Sequence, residues 1–366
     1  MAMNDNTLQL NETDIDEIQH NSIKLSGTFT ALVTPFTKDG NVDYDGLSSI
    51  VEFQIKEGID GLLAVGTTGE SPTLSWNEHL NIIQTVHECG GNKIKIIAGT
   101  GSNNTNESHK ATKFAAKTGI DSALLIDPYY NGPSSLEIRR EYLEPIARDF
   151  PNLIFVPYII PGRTGTQLSP EDLAIAYSKF KNISAVKEAT GDLSNARKIR
   201  KLCGADFTIF SGNDDQTLDM MLDKDIQANG VISVTSNILP NAVKNLVQYA
   251  SSDYQKSIDI NNNLKSLFDI VGVQTTEQSI FGNVVTKSRN PVPTKTLMHI
   301  LGMPVGLCRQ PLGSLTKTAL NVVVNNAKKL YETTDYFQTL EAFFDVDLSK
   351  RLYSDVYLEG LYYESY

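Results

Sequence analysis

The chain is poor in the features that mark most specialised classes of protein. Its 366 residues hold only three cysteines, Cys89, Cys203 and Cys308, far apart and in no CxxC pair. That excludes a disulfide framework and signals no zinc site. His20, His87, His109 and His299 fall in no metal-ligand spacing, so no metal is expected. The longest apolar runs reach only strand length, well short of the roughly 20 residues a membrane helix requires. No GxGxxG opens a helix, and the carboxylates are scattered rather than paired as a glycosidase needs. Positive charge is in deficit too: the net charge of -11 disfavours nucleic acid and anionic membrane as partners and leaves a small molecule as the default. The first 26 residues are polar and acidic, without the cationic start of a signal peptide or the arginines of a transit peptide, which predicts a cytoplasmic protein.

What is present is a rhythm. Short apolar or β-branched runs begin at Phe29, Gly61, Ile94, Ala123, Leu153, Ile183, Phe207 and Val231, and helix-period segments lie between them. Eight strands alternating with helices predict parallel βαβ units and an α/β fold, a closed (β/α)8 TIM barrel; a doubly wound open sheet is the competing arrangement. Ser169-Pro170-Glu171-Asp172 and Thr105-Asn106-Glu107-Ser108 read as helix starts, and Gly58, Gly90-Gly91 and Gly119 as helix ends. After Pro240 the alternation stops and helices are expected at about 240–271, 294–301, 314–331 and 337–360. The chain thus divides into an acidic arm (1–26), the barrel (27–253), a C-terminal helical region (254–331) and an aromatic, acidic extension (332–366). The stripe Leu340, Phe343, Phe344, Tyr353, Val356 and Tyr357 in that extension needs a surface to cover.

Chemistry in such a barrel belongs at the C-terminal ends of the strands. Lys187 closes the apolar run Ile183-Ser184-Ala185-Val186, where burial disfavours the charged amine and frees it as a nucleophile toward a carbonyl. A lysine at a strand end can also run its aliphatic stem out to solvent. The other strand ends carry Gly66-Thr67-Thr68-Gly69-Glu70-Ser71, Asp127-Pro128-Tyr129-Tyr130-Asn131, Pro157-Tyr158, Pro161-Gly162-Arg163-Thr164-Gly165 and Ser211-Gly212-Asn213-Asp214.

In this order the motifs resemble those of the dihydrodipicolinate synthase and N-acetylneuraminate lyase superfamily of class I aldolases, over about Gly27 to Tyr331. The Pro-Gly-Arg-Thr-Gly form is similar to the dihydrodipicolinate synthase branch, since the sialic-acid and sugar-acid lyases typically lack the arginine. The resemblance implies an imine between Lys187 and pyruvate, with no other cofactor, followed by condensation with L-aspartate-4-semialdehyde for lysine or diaminopimelate synthesis. It implies that Tyr158 shuttles protons, Thr67 links it to Tyr130 of an adjacent subunit, and Thr68 holds the pyruvate carboxylate. Arg163 would take the carboxylate of the second substrate, and Gly212 and Ile232 would offer backbone near the imine.

It further implies a homo-oligomer of the tetramer-of-dimers type and an L-lysine inhibitor site at Ser71, Trp76, His79, Asn103, Glu107 and Tyr129. Trp76 and His79 can equally be packing residues of the second helix. A 2-keto-3-deoxy sugar acid lyase and a non-catalytic binding protein on the same fold are the alternatives. Three departures stand out: Ile159 where asparagine is usual, Asn213 where aspartate is common, and a stretch from about Val271 to Asn290 longer than expected before Asn290-Pro291-Val292-Pro293-Thr294-Lys295.

Overall fold

Each of the eight apolar runs forms a strand, and the strands close on one another in a computed structural model that describes residues 24–366. Strands β1 (Gly27–Ala31), β2 (Gly61–Ala64), β3 (Lys95–Gly99), β4 (Ser122–Ile126), β5 (Ile154–Ile159), β6 (Ala185–Glu188), β7 (Thr208–Ser211) and β8 (Gly230–Ser233) pair in parallel in chain order. The ring closes where β1 meets β8, with Gly27 opposite Gly230. Outside it run α1 (Tyr44–Lys56), α2 (Trp76–Gly90), α3 (Thr105–Thr118), α4 (Ser135–Glu137), α5 (Glu144–Asp149), α6 (Pro161–Thr164), α7 (Pro170–Lys179), α8 (Leu193–Cys203) and α9 (Thr217–Leu222), with a π turn at Ile138–Leu143 joining α4 to α5.

Local chemistry sets these boundaries. The Ser169 side chain accepts the Asp172 N–H, and Pro170 sits in the first turn of α7. Helix α3 is capped by Asn104, one residue before the expected Thr105, because the Asn104 side chain accepts the N–H groups of both Asn106 and Glu107. Gly119 ends α3 in the left-handed conformation with its N–H on the Ala115 and Ala116 carbonyls.

Strand residues alternate between an inner layer and the interface with the helices. Phe29 and Phe210 meet edge to face at 5.3 Å inside the barrel, and a Cβ on Gly61 would lie 2.0 Å from the Phe29 ring, so no other residue fits there. Leu25 plugs the same interior, and its carbonyl accepts the Thr208 hydroxyl at 3.1 Å. Residues 1–23 of the acidic arm, His20 among them, lie outside the described residues.

After β8 come α10 (Pro240–Ser252) and α11 (Tyr254–Phe268), then β9 (Gly272–Ser279), β10 (Gly282–Arg289), α12 (Val292–Ile300), β11 (Leu315–Thr316), α13 (Lys317–Thr333), α14 (Gln338–Phe344), α15 (Leu348–Tyr353) and β12 (Tyr362–Tyr363), which pairs with β11. The helical C-terminal region is therefore present with two corrections. The helix expected over 240–271 is two, parted at Asp253, whose side chain caps the new one on the Lys256 N–H. The helix expected over 337–360 breaks at Asp345, which adopts φ 51° and ends α14, and Asp347 caps α15.

The long stretch before Asn290 is an antiparallel hairpin of β9 and β10, paired from Gly272 with Arg289 to Ser279 with Gly282. Glu277 fastens it to the body by accepting the hydroxyls of Thr275, Thr316 and Thr318. Leu340 is fully buried, Phe343 and Phe344 stack on Phe53 of α1 at 5.2 and 5.1 Å, and Thr339 donates to Glu57. The extension thus covers its own barrel, although Tyr353 and Val356 of the stripe face solvent.

Among the described residues no helix is long and apolar enough to cross a membrane, and no group of three or more His, Cys, Asp and Glu could hold a metal ion.

Candidate active site

Strand β6 is buried on both faces, so the side chain of Lys187 has no route along its stem to water. The residue is 4 % exposed. Burial pushes the amine down to about 7; the Asp214 carboxylate opposes that shift and the Arg163 guanidinium reinforces it. Tyr158 is the Cα partner of Lys187 across the β5 and β6 pairing, and the lysine Nζ lies 4.4 Å from the centre of its ring. Burial raises the phenol above its ordinary range, against the pull of Arg163 and of a hydrogen bond with Thr67. Three strand ends thus bring together a buried amine, a buried phenol and a half-buried threonine.

The loop after β2 reaches that space through a tight turn in which Val65 and Glu70 take φ 58° and 57°, an arrangement costly for a β-branched valine and maintained only where surroundings enforce it. Thr68 is buried, and its hydroxyl accepts the Asn290 side-chain amide at 2.9 Å. The Asn290 carbonyl accepts Arg163 Nη2 at 2.8 Å. Asn290 therefore clamps the loop after β2 to the loop after β5, while the guanidinium of Arg163 keeps a solvent-facing side. Gly212 packs backbone on backbone: its N–H donates to the Glu188 carbonyl at 2.7 Å, and a Cβ would lie 2.6 Å from that of Ala189. Ile232 is fully buried in the inner layer.

Tyr130 is not brought to this group. It stands 91 % exposed, with φ 76°, on the loop after β4. Ile159, the first departure, points outward into the helix-facing cluster with Leu168 and Ile183, away from Lys187. Asn213 donates its side-chain amide to Gln216.

The positions expected to take an inhibitor divide in the chain between α2 with the turn before it and the stretch from Asn103 to Tyr129. Ser102 donates to Glu107 at 2.7 Å and contacts Asn103 at 3.5 Å, and burial followed by the Glu107 charge raises the Tyr129 phenol. Trp76 and His79 stack at 4.7 Å on α2. His79 is buried, its Nε2 lies 2.7 Å from the Gly99 carbonyl, and burial pushes it down to about 4, so the neutral ring donates there. Ser71 opens the short 3-10 turn ahead of α2.

Several groups at the site escape sequence reasoning. Asp214 Oδ2 accepts the Val234 and Thr235 N–H groups at 3.0 and 2.8 Å. Its place at a strand end was the available signal. Lys295 donates to Glu70 at 2.6 Å in an ion pair whose side chains are both fully buried, and the other Glu70 oxygen accepts the Arg309 N–H at 2.9 Å. Asp127, at the end of β4, accepts the Leu168 N–H at 3.0 Å. Burial pushes its carboxyl up to about 7.

A profile described as the Dihydrodipicolinate synthetase family matches residues 24–330. The 4-hydroxy-tetrahydrodipicolinate synthase of Methanococcus aeolicus is 41 % identical over 290 residues, covering 79 % of this chain and 93 % of that protein. The protein of the same name from Hydrogenobaculum is 39 % identical over 289 residues, with 79 % and 92 % covered. Among solved structures, 4-hydroxy-tetrahydrodipicolinate synthase from Methylacidiphilum fumariolicum superposes with a TM-score of 0.77 at 34 % identity, over 87 % of this chain and 99 % of that one. Dihydrodipicolinate synthase from Cyanidioschyzon merolae, described with lysine bound, gives 0.76 at 32 % identity, over 84 % and 98 %. Barrel, strand-end motifs and similarity over nearly the whole length of these relatives agree: the chain belongs to the dihydrodipicolinate synthetase family.

Proposed function

We infer that the chain forms 4-hydroxy-tetrahydrodipicolinate by condensing pyruvate with L-aspartate-4-semialdehyde. The observation that carries this is the buried Lys187 amine, pushed down to about 7 and set against the Tyr158 ring with Arg163 nearby. The neutral amine adds to the pyruvate carbonyl and expels water as an imine; a methyl proton leaves to give the enamine, whose carbon attacks the aldehyde, and the amino group of the second substrate then displaces Lys187 from the imine carbon as the ring closes, freeing the amine. Tyr158, whose phenol Thr67 influences, moves those protons. Thr68 and neighbouring backbone amides hold the pyruvate carboxylate, Arg163 takes that of the aldehyde, and backbone at Gly212 and Ile232 borders the imine.

The relay needs a second copy of the chain. Tyr130 is supported as its outer member by standing almost free of its own chain in a left-handed conformation suited to a reaching loop. The same reading gives a cytoplasmic homo-oligomer. An L-lysine site at Ser71, Trp76, His79, Asn103, Glu107 and Tyr129 is supported by the lysine-bound relative and by the Glu107 and Tyr129 grouping. His79 could offer such a ligand only Nδ1.

Borohydride reduction with pyruvate, followed by peptide mapping, tests the imine; an assay coupled to each candidate aldehyde tests the second substrate. Mass gain at Lys187 and turnover of L-aspartate-4-semialdehyde are expected, and labelling at another lysine overturns the assignment. Inhibition by L-lysine that Glu107→Ala relieves would locate the effector, and a flat titration removes it.

A further inference from the structure

The hairpin ends at the mouth of the barrel, and its last strand residue brings a second guanidinium there. Arg289 donates Nη1 to the Gly162 carbonyl at 2.9 Å, while Arg163, the next residue after Gly162, donates to the carbonyl of Asn290, the next residue after Arg289. The two loops thus exchange arginines, each on the other's backbone. Both side chains remain open to solvent. They lie close enough for the charge of Arg289 to disfavour protonation of Arg163.

Two like charges held together cost energy unless an anion answers them. Acids outnumber bases in this chain by 43 to 32. Yet among the described residues neither Arg163 nor Arg289 has a carboxylate within ion-pair distance. Lys287 continues the positive charge along the same exposed face of β10, opposite the uncharged Gln274.

We propose that Arg289 is a second carboxylate-binding arginine, taking the carboxylate of the incoming aldehyde together with Arg163 and so helping to select an acidic aldehyde. This rests on the reading of the reaction given above. Arg163 spends one Nη on Asn290 and Arg289 one on Gly162, which leaves each fork a free edge for the same anion. The hairpin is then part of the substrate site.

The test compares Arg289→Gln and Arg289→Lys with the unaltered chain. Arg289→Gln should raise KM for L-aspartate-4-semialdehyde roughly three- to ten-fold, the scale of a partly exposed charge-assisted contact, and flatten the salt dependence of kcat/KM. Arg289→Lys should recover part of the loss, and pyruvate trapping at Lys187 should be unaffected. Titrating the borohydride-reduced pyruvyl enzyme with succinate gives a second reading that needs no turnover, and Arg289→Gln should weaken that binding by a similar factor. Failure of the unaltered chain to use the aldehyde would count against the reaction, whereas the change in succinate affinity between Arg289→Gln and the unaltered chain reports on Arg289 without turnover. Unchanged KM and unchanged succinate affinity overturn the proposal, as does equal loss of trapping and aldehyde use, which would make Arg289 a structural clasp. Should Arg289→Gln not fold, Arg289→Lys decides: full affinity for succinate then overturns it.

Discussion

Lys187 and Tyr158 occupy the same rung of neighbouring strands, with the amine 4.4 Å from the ring centre and both side chains buried. The pairing sets the amine over the ring face at a point both side chains bury. A protonated amine would gain from the ring face but lose its hydration, and desolvation is the larger effect.

The pH dependence of imine trapping follows. Lys187 has a folded pKa of about 7 against 10.5 for an ordinary lysine. Between those values the unfolded chain binds a proton that the folded chain does not, so stability from this group rises with pH across that window and is absent below it. Trapping should climb about tenfold per pH unit below 7 and level off above it. A rate still climbing at that slope near pH 9 would mark a solvated lysine. Lys187→Arg should fold and take no label.

Substrate discrimination is expected from Arg163. Its guanidinium faces solvent on one side, so loss of the contact should cost about 1.5 kcal/mol, the lower end for hydrogen bonds to charged groups. Arg163→Ala should therefore raise KM for L-aspartate-4-semialdehyde roughly tenfold with trapping by pyruvate retained. Loss of both in a folded variant would assign the arginine to structure.

Reading the chain alone reached what local pattern encodes. Strand position alone left Lys187 open to a stem running to solvent, and only the order of the other strand-end motifs favoured the buried amine; the eight strands were legible because both faces of each are covered, leaving near-continuous apolar runs. The hairpin was not. Thr275, Gln278, Thr286 and Lys287 face water or one another, so its alternation carries little apolar contrast. The Glu70 and Lys295 pair lies 225 residues apart, and Thr68 and Asn290 lie 222 apart, distances over which one sequence holds no pairing signal.

The Glu70 and Lys295 pair should be costly to break. Lys295→Met leaves a fully buried carboxylate facing only the Arg309 N–H, and the penalty for an orphaned buried charge is about 3 to 5 kcal/mol. Denaturant unfolding would read it, and Glu70→Gln added to Lys295→Met should recover part of the loss. An unchanged midpoint for Lys295→Met would mean that water reaches the pocket.

Asp127 predicts the opposite pH trend to Lys187. Its folded pKa is raised from 3.8 to about 7, so between those values the folded chain holds the extra proton and stability falls as pH rises. Asp127→Asn, which keeps an acceptor for the Leu168 N–H, should flatten that fall and be the more stable protein above pH 7. Parallel stability curves for the two proteins would refute the assignment.

Truncation after Tyr331 removes Phe337, Leu340, Leu348 and Leu352, all buried, and uncovers Phe53. The melting temperature should fall by about 5 °C or more. An unchanged value would mean the extension rests on the barrel without supporting it.

The clamp from Asn290 to Thr68 also orders events during synthesis. The loop carrying Thr67 and Thr68 leaves the ribosome long before the residue that pins it, and Arg163 too waits for the Asn290 carbonyl. The eighth strand is complete at Ser233, 57 residues before Asn290 sets the mouth. The residues that bury the amine and the residue that sets the mouth are therefore made far apart in the chain, before Ser233 and at Asn290.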